Sequence, residues 1–105
     1  MFLAMNTTIN CTKHLDEEHA QVWEQTRELI DRKHRYLRKI HPDLLKAELH
    51  LRAFARQTEV HLLVHDTCHR LIESHASTGN LKKSITLAFT RAEAQLFESK
   101  HLQNQ

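Results

Sequence analysis

A single glycine and a single proline in 105 residues leave this chain few of the usual turn formers. Its turns fall to Asn, Asp, Ser and Thr, which close loops through side-chain hydrogen bonds to nearby backbone. The two cysteines, Cys11 and Cys68, lack a CxxC spacing. That argues against a disulfide scaffold or a zinc knuckle, and free thiols in a reducing compartment are expected. No apolar run approaches the roughly 20 residues of a membrane-spanning helix. The opening Met1-Phe2-Leu3-Ala4-Met5 lacks the basic start and the length of a signal peptide. A cytoplasmic protein without membrane contact is expected. There is no GxSxG, P-loop, GxGxxG or HExxH motif. Cys11, His14 and Asp16 are close in sequence, but nothing supplies an oxyanion site. No enzymatic activity, cofactor or small-molecule substrate is expected.

What is present fits a soluble globular protein. Hydrophobic residues make up 40% and charged residues 27% of the chain, a balance that supports a packed core rather than disorder. The length suits one domain over residues 1–105 with a modest core, its ends 1–5 and 101–105 expected to fray. A net charge of +2 permits contact with nucleic acid without implying it.

Hydrophobic periodicity organises the middle of the chain. From Ala47 to Ala55 small or apolar residues alternate with mostly polar ones, the period of a strand with one buried face. The pattern resumes after Gln57-Thr58 with Val60, Leu62 and Val64 inward, and a weaker run covers Arg70–Ala76. A three-residue loop, Asp66-Thr67-Cys68, is preferred over a two-residue turn because it turns Glu73 outward; burying that carboxylate unpaired is costly. It pairs Ile72 with Leu62 and Ser74 with Val60. Upstream, Asn6–Thr12 suits a short strand. Asp16 is a good helix N-cap, and the helix it starts is expected to run unbroken to Ile40, with Ala20, Trp23, Ile30 and Leu37 on one face. His41-Pro42-Asp43 ends it. Asn80 caps a last helix, Leu81 to Ser99, whose apolar stripe is Leu81, Ile85, Ala88, Ala92 and Leu96. The predicted fold class is α+β in the order β-α-β-β-β-α. It forms a four-stranded mixed sheet with two helices packed on one face. A right-handed crossover makes the first strand parallel to the second and sets Cys11 and Cys68 on opposite sides of the sheet.

Two residue groups are candidates for function. The first is the unusual set of ten histidines. In the preferred register His50, His65 and His69 form one row on the outer sheet face. Neighbouring strands lie roughly 4.8 Å apart, so two of these imidazoles are close enough to share a zinc or copper ion. The plainer reading is a solvated polar face whose charge rises below about pH 6.5. The second group is basic. The first helix carries Glu17, Glu18, Glu24 and Glu28 in its first half and Arg32, Lys33, Arg35, Arg38 and Lys39 in its second. This polarity compensates the helix dipole, or else presents a phosphate-facing end. Lys82, Lys83, Arg91 and Lys100 lie on the last helix, and helices packed side by side would bring some of these cations to a shared groove.

From Glu59 the chain takes on a recognisable pattern. Glu59-Val60-His61-Leu62-Leu63-Val64-His65, then Ile72-Glu73-Ser74-His75-Ala76-Ser77, then Asn80 through Leu96 resembles the ribosome hibernation promoting factor family, which includes ribosome-associated inhibitor A. The opening Met5-Asn6-Thr7-Thr8-Ile9 is similar to that family's first strand. The resemblance implies the β-α-β-β-β-α fold already reached from periodicity. It implies a short form that binds the small ribosomal subunit in the mRNA and tRNA channel and blocks translation in stationary phase, with basic side chains on rRNA phosphates. Carried over residue by residue, the rRNA-binding set is Lys82, Arg91 and Lys100, with Arg35 and Lys39 from the first helix. The chain departs from the family at its last helix, which is less basic. Lys82 replaces the usual aromatic, and Glu93 and Glu98 stand where phosphate contacts belong. A histidine-rich metal- or pH-responsive binding protein on the same scaffold is the alternative.

Overall fold

The computed structural model describes residues 9–68 and 70–103, with side chains as far as Glu98. Its elements are β1 (Ile9–Leu15), α1 (Glu17–Gln21), α2 (Trp23–Ile40), β2 (Leu44–Phe54), β3 (Gln57–Asp66), β4 (Leu71–Thr78) and α3 (Leu81–Gln103). The strands form one sheet in the order β1-β2-β3-β4. β1 is parallel to β2, and the other two pairings are antiparallel. This is the expected α+β sheet, with the first helical region split in two. Of the predicted first strand, only Ile9–Thr12 falls within β1. Asn6–Thr8 and the extension Met1–Met5 lie outside the described residues.

Asp16 explains how β1 hands over to the helices. Its backbone N–H extends the ladder to the Ala53 carbonyl at 3.0 Å, and its Oδ1 accepts from the His19 backbone N–H at 2.9 Å. The continuous helix expected from Asp16 to Ile40 breaks at Val22, which has φ −105° and ψ 18°. The Val22 N–H bonds back to the His19 carbonyl, tightening the last turn of α1. The Val22 carbonyl instead accepts both the N–H and the hydroxyl of Thr26. The break rotates α1 away from the core. Ala20 is therefore exposed, and Trp23, Thr26, Ile30, His34 and Leu37 form the inward face.

The sheet places alternate side chains on opposite faces. Leu49, Leu51, Val60, Leu62, Val64, Ile72 and Ala76 point inward and are buried against Ile30 and Leu37 of α2 and the apolar stripe of α3. The polar residues on this face are satisfied. Ser74 donates to the Ala88 carbonyl at 2.6 Å. The Thr58, Thr78 and Ser84 hydroxyls form a cluster with 2.6 Å contacts to Ser84 Oγ, and Thr58 also donates to the Thr78 carbonyl.

Both loops of the meander differ from expectation by whole steps. β2 and β3 are joined by Ala55-Arg56, with Phe54 paired to Gln57. Ala55 is thus a turn residue in the left-handed region at φ 54°, and Gln57 and Thr58 belong to the strand. Ala55 can hold that conformation because its N–H donates to Asp16 Oδ2 at 2.6 Å. Between β3 and β4 the odd loop does form, one residue later than expected, closed by the Asp66 N–H to the Arg70 carbonyl. Ile72 pairs with Val64, and Ser74 with Leu62. Parity is kept, so Ile72 and Ser74 face the core and Glu73 faces out. α3 runs four residues past its expected end, to Gln103, so residues 101–103 of the tail are helical.

Candidate functional site

Strands β1, β2 and β4 share one direction, and each helical segment returns against the strand before it. α2 and α3 therefore run parallel. At their N-terminal ends Gln25, Thr26, Asn80 and Lys82 line one crevice. Toward their C-terminal ends Ile40, His41, Thr90, Glu93, Phe97 and Glu98 line another. Among the described residues this second crevice carries two carboxylates and neither Lys nor Arg. Of the cations expected to share a groove between the helices, none with a described side chain lines this crevice. The register of the two helices sets Glu93 and Glu98, not Lys82, beside the end of α2.

The five basic residues singled out from sequence have different surroundings. Arg35 and Lys39 are exposed on α2. With Arg32 they stand at i, i+3 and i+7, which places all three on one ridge about 10 Å long at 1.5 Å per residue. The angular step of the helix points this ridge away from the core, opposite Ile30 and Leu37. Arg35 borders a further crevice between α2 and β1, with Cys11, Asp31 and His34. Exposed Tyr36 sits at i+4 from Arg32, an aromatic ring beside the cations. Lys82 is exposed, near Thr26 in the N-terminal crevice. It is thirteen residues, or about 20 Å of helix, from the level of Lys39. Arg91 does something else. Its Nη1 donates to the His75 carbonyl at 2.5 Å, and Gln95 Nε2 donates to the Glu73 carbonyl at 2.7 Å. Both carbonyls belong to the edge strand β4, whose other side pairs with β3. Arg91 and Gln95 thus cover a sheet edge that would otherwise offer its acceptors to another strand. Lys100 lies in the last turns of α3, beyond the described side chains.

The histidine row is also rearranged. His50 lies opposite His61, and His61 opposite His75. The ring centroids are 6.2 and 5.8 Å apart. His65 pairs instead with Lys46 and Leu71, and His69 lies outside the described residues. The row of His50, His65 and His69 is therefore corrected, because the Ala55-Arg56 turn shifts β3 along β2. Among the described residues no three His, Cys, Asp or Glu side chains are placed to hold a metal ion. His61 Nε2 is 3.5 Å from a Glu73 carboxylate oxygen.

The Cys11, His14 and Asp16 grouping does not converge. Cys11 packs against the core on the inner face, and His14 lies on the outer one. Burial, reinforced by the Asp31 charge and partly offset by Lys13, pushes the Cys11 thiol up and keeps it protonated. Asp16 is held at about 2, first by the Ala55 N–H and then by the His19 N–H and ring. It is an anchor for the turn and the cap. Both cysteines are free.

No family model matches the sequence, and no curated protein does. Among solved structures, a ribosomal subunit interface protein from Coxiella burnetii superposes with a TM-score of 0.71 at 19% identity, over 89% of this chain and 97% of that one. The N-terminal domain of protein Y from Thermus thermophilus superposes with a TM-score of 0.64 at 18% identity, over 82% and 93%. Both are of the ribosome hibernation promoting factor family, and this chain has their fold.

Proposed function

We propose that the protein binds the small ribosomal subunit and inhibits translation by occupying the mRNA and tRNA channel. The observation that carries this reading is the fold, shared almost end to end with a ribosomal subunit interface protein. The sequence run from Glu59 to Leu96 supports it independently. On this reading the protein is a non-enzymatic cytoplasmic factor of stationary phase. No described helix is long and apolar enough to cross a membrane.

Contact with rRNA falls first to the α2 ridge. Arg32, Arg35 and Lys39, on successive turns of α2, present cations at a spacing that suits successive phosphates. Tyr36 offers a ring for an unstacked base. Lys82 and Lys100 extend the contact along α3, and Arg91 joins it only by giving up the β4 edge. Such contacts hold position and do not read sequence. Co-sedimentation with purified small subunits across a salt series tests the proposal. Pelleting that weakens steeply with salt, and weakens further in Arg35→Gln/Lys39→Gln, supports it. Failure to pellet at low salt refutes it.

A further inference from the structure

We propose that the helix-free face of the sheet is a second surface for single-stranded RNA, one that strengthens in acid. The choice of RNA rests on the function proposed above. Among the described residues the helices cover only the inner face and leave the outer one open across all four strands. One row across it reads Thr12, His50, His61 and His75. His14 and Arg52 are paired in the next row, and His65 lies two residues beyond Leu63 at the other end. The rings in the central row stand about one strand spacing apart, at 6.2 and 5.8 Å. Phe54 continues the aromatic set, exposed on the same face with the Arg52 guanidinium 5.7 Å from its ring centre. Flat rings in rows on an open sheet suit unstacked bases, which stack on imidazole and phenyl faces alike.

The charge of this face decides when a polyanion is welcome. Its fixed charges are Lys46 and Arg52 against Glu48, Glu59 and Glu73, leaving one negative charge in excess. Glu48 is engaged by Lys46 at 3.7 Å, and Glu73 faces His61 at 3.5 Å. Arg91 reaches the β4 edge from α3 but is tied to the His75 carbonyl. Imidazole is the side chain that changes charge between pH 5 and 8. With His14, His50, His61, His65 and His75 all protonated, the same face carries four positive charges in excess. A surface that repels phosphate at neutral pH then attracts it.

The test is fluorescence anisotropy with a labelled twelve-nucleotide oligouridine in 50 mM salt at pH 7.5 and 5.5, using the full chain and His50→Gln/His61→Gln/His75→Gln. These positions are solvent-facing, and circular dichroism at both pH values confirms that the variant folds. The expected result is an affinity gain of about tenfold or more on acidification of the natural chain, the scale of one added phosphate contact at this salt. The triple variant should lose most of that gain. A gain that survives in the variant comes from histidines elsewhere and overturns the proposal, as does no gain in the natural chain. Small-subunit pelleting at pH 7.5 with the same two proteins tests the proposed function separately. Failure to pellet there, with the acid gain intact, refutes that function and not this surface.

Discussion

The latch at Asp66 sets which residues of β4 meet the core, and removing it should be among the costliest single changes in the protein. Asp66 is buried at 2% exposure. Its Oδ1 accepts the backbone N–H groups of Cys68 and Arg70 at 2.9 and 3.0 Å, and its Oδ2 accepts Arg70 Nε and Nη2 at 2.9 and 2.8 Å. Asp66→Asn keeps the oxygen that holds the two backbone groups but turns an NH2 toward the guanidinium. Hydrogen bonds to charged groups contribute about 1.5–3 kcal/mol, and Arg70 recovers part of this from water, so a loss of about 2 kcal/mol is expected. Asp66→Ala also strands the two loop N–H groups and should cost about 3–4 kcal/mol. For a chain of this size that is a large share of a total near 5–15 kcal/mol. Burial raises the Asp66 carboxyl, but the hydrogen bonds from Arg70 and Cys68 outweigh it and hold the group below its ordinary value. Its stabilisation is therefore complete above the ordinary carboxylate range and is lost as pH falls through the depressed folded value. Urea unfolding of the natural chain and Asp66→Asn, run from pH 7 to pH 3, should show a gap that narrows below about pH 4. A gap under 0.5 kcal/mol at pH 7, or one that does not narrow in acid, would refute the reasoning.

Other changes should separate structure from function. Ala55→Gly relieves a left-handed alanine and should stabilise by about 0.5–1 kcal/mol after the added flexibility of the unfolded chain is counted, measured by urea midpoint. Arg91→Ala/Gln95→Ala uncovers the β4 edge; concentration-dependent self-association in sedimentation velocity is expected, with the natural chain unchanged under the same conditions. Ser84→Ala leaves the Thr58 and Thr78 hydroxyls without their shared partner and should cost about 1–3 kcal/mol, read from thermal unfolding. His34 is buried and held below its ordinary value by burial and then by Arg38. Its contribution is complete above the unfolded imidazole range and falls as pH drops through it. His34→Gln should therefore show a shallower stability loss between pH 7 and 5.

Much of the fold was legible because a strand's two faces alternate. Leu49, Leu51, Val60 and Leu62 declare the buried face whichever partner they take, and the cost of burying Glu73 decides the parity of the last loop. Register is another matter. A shift by two or four residues keeps every side chain on its face, so alternation cannot tell His61 from His65 as the neighbour of His50. A turn residue would have settled it, but Ala55 carries none of the chemistry of a left-handed turn. Its hydrogen bond to Asp16, 39 residues away, makes the turn possible. The break at Val22 is equally silent in sequence, since a β-branched residue sits in many unbroken helices. At the candidate site, the i, i+3, i+7 spacing of Arg32, Arg35 and Lys39 is read directly from the sequence, though the family resemblance carries over only Arg35 and Lys39. The use of Arg91 at the sheet edge could not be read at all, because it depends on how α3 lies against β4. The acidic crevice at Glu93 and Glu98 likewise follows from the parallel packing of the two helices.

The most direct test is displacement from the channel itself. Small subunits carrying a short labelled mRNA and an initiator tRNA are titrated with the protein, and both ligands are followed by filter retention. Release of mRNA and tRNA together, at about one protein per subunit, is the expected result. A protein that pellets with the subunit while both ligands stay bound would contradict the account.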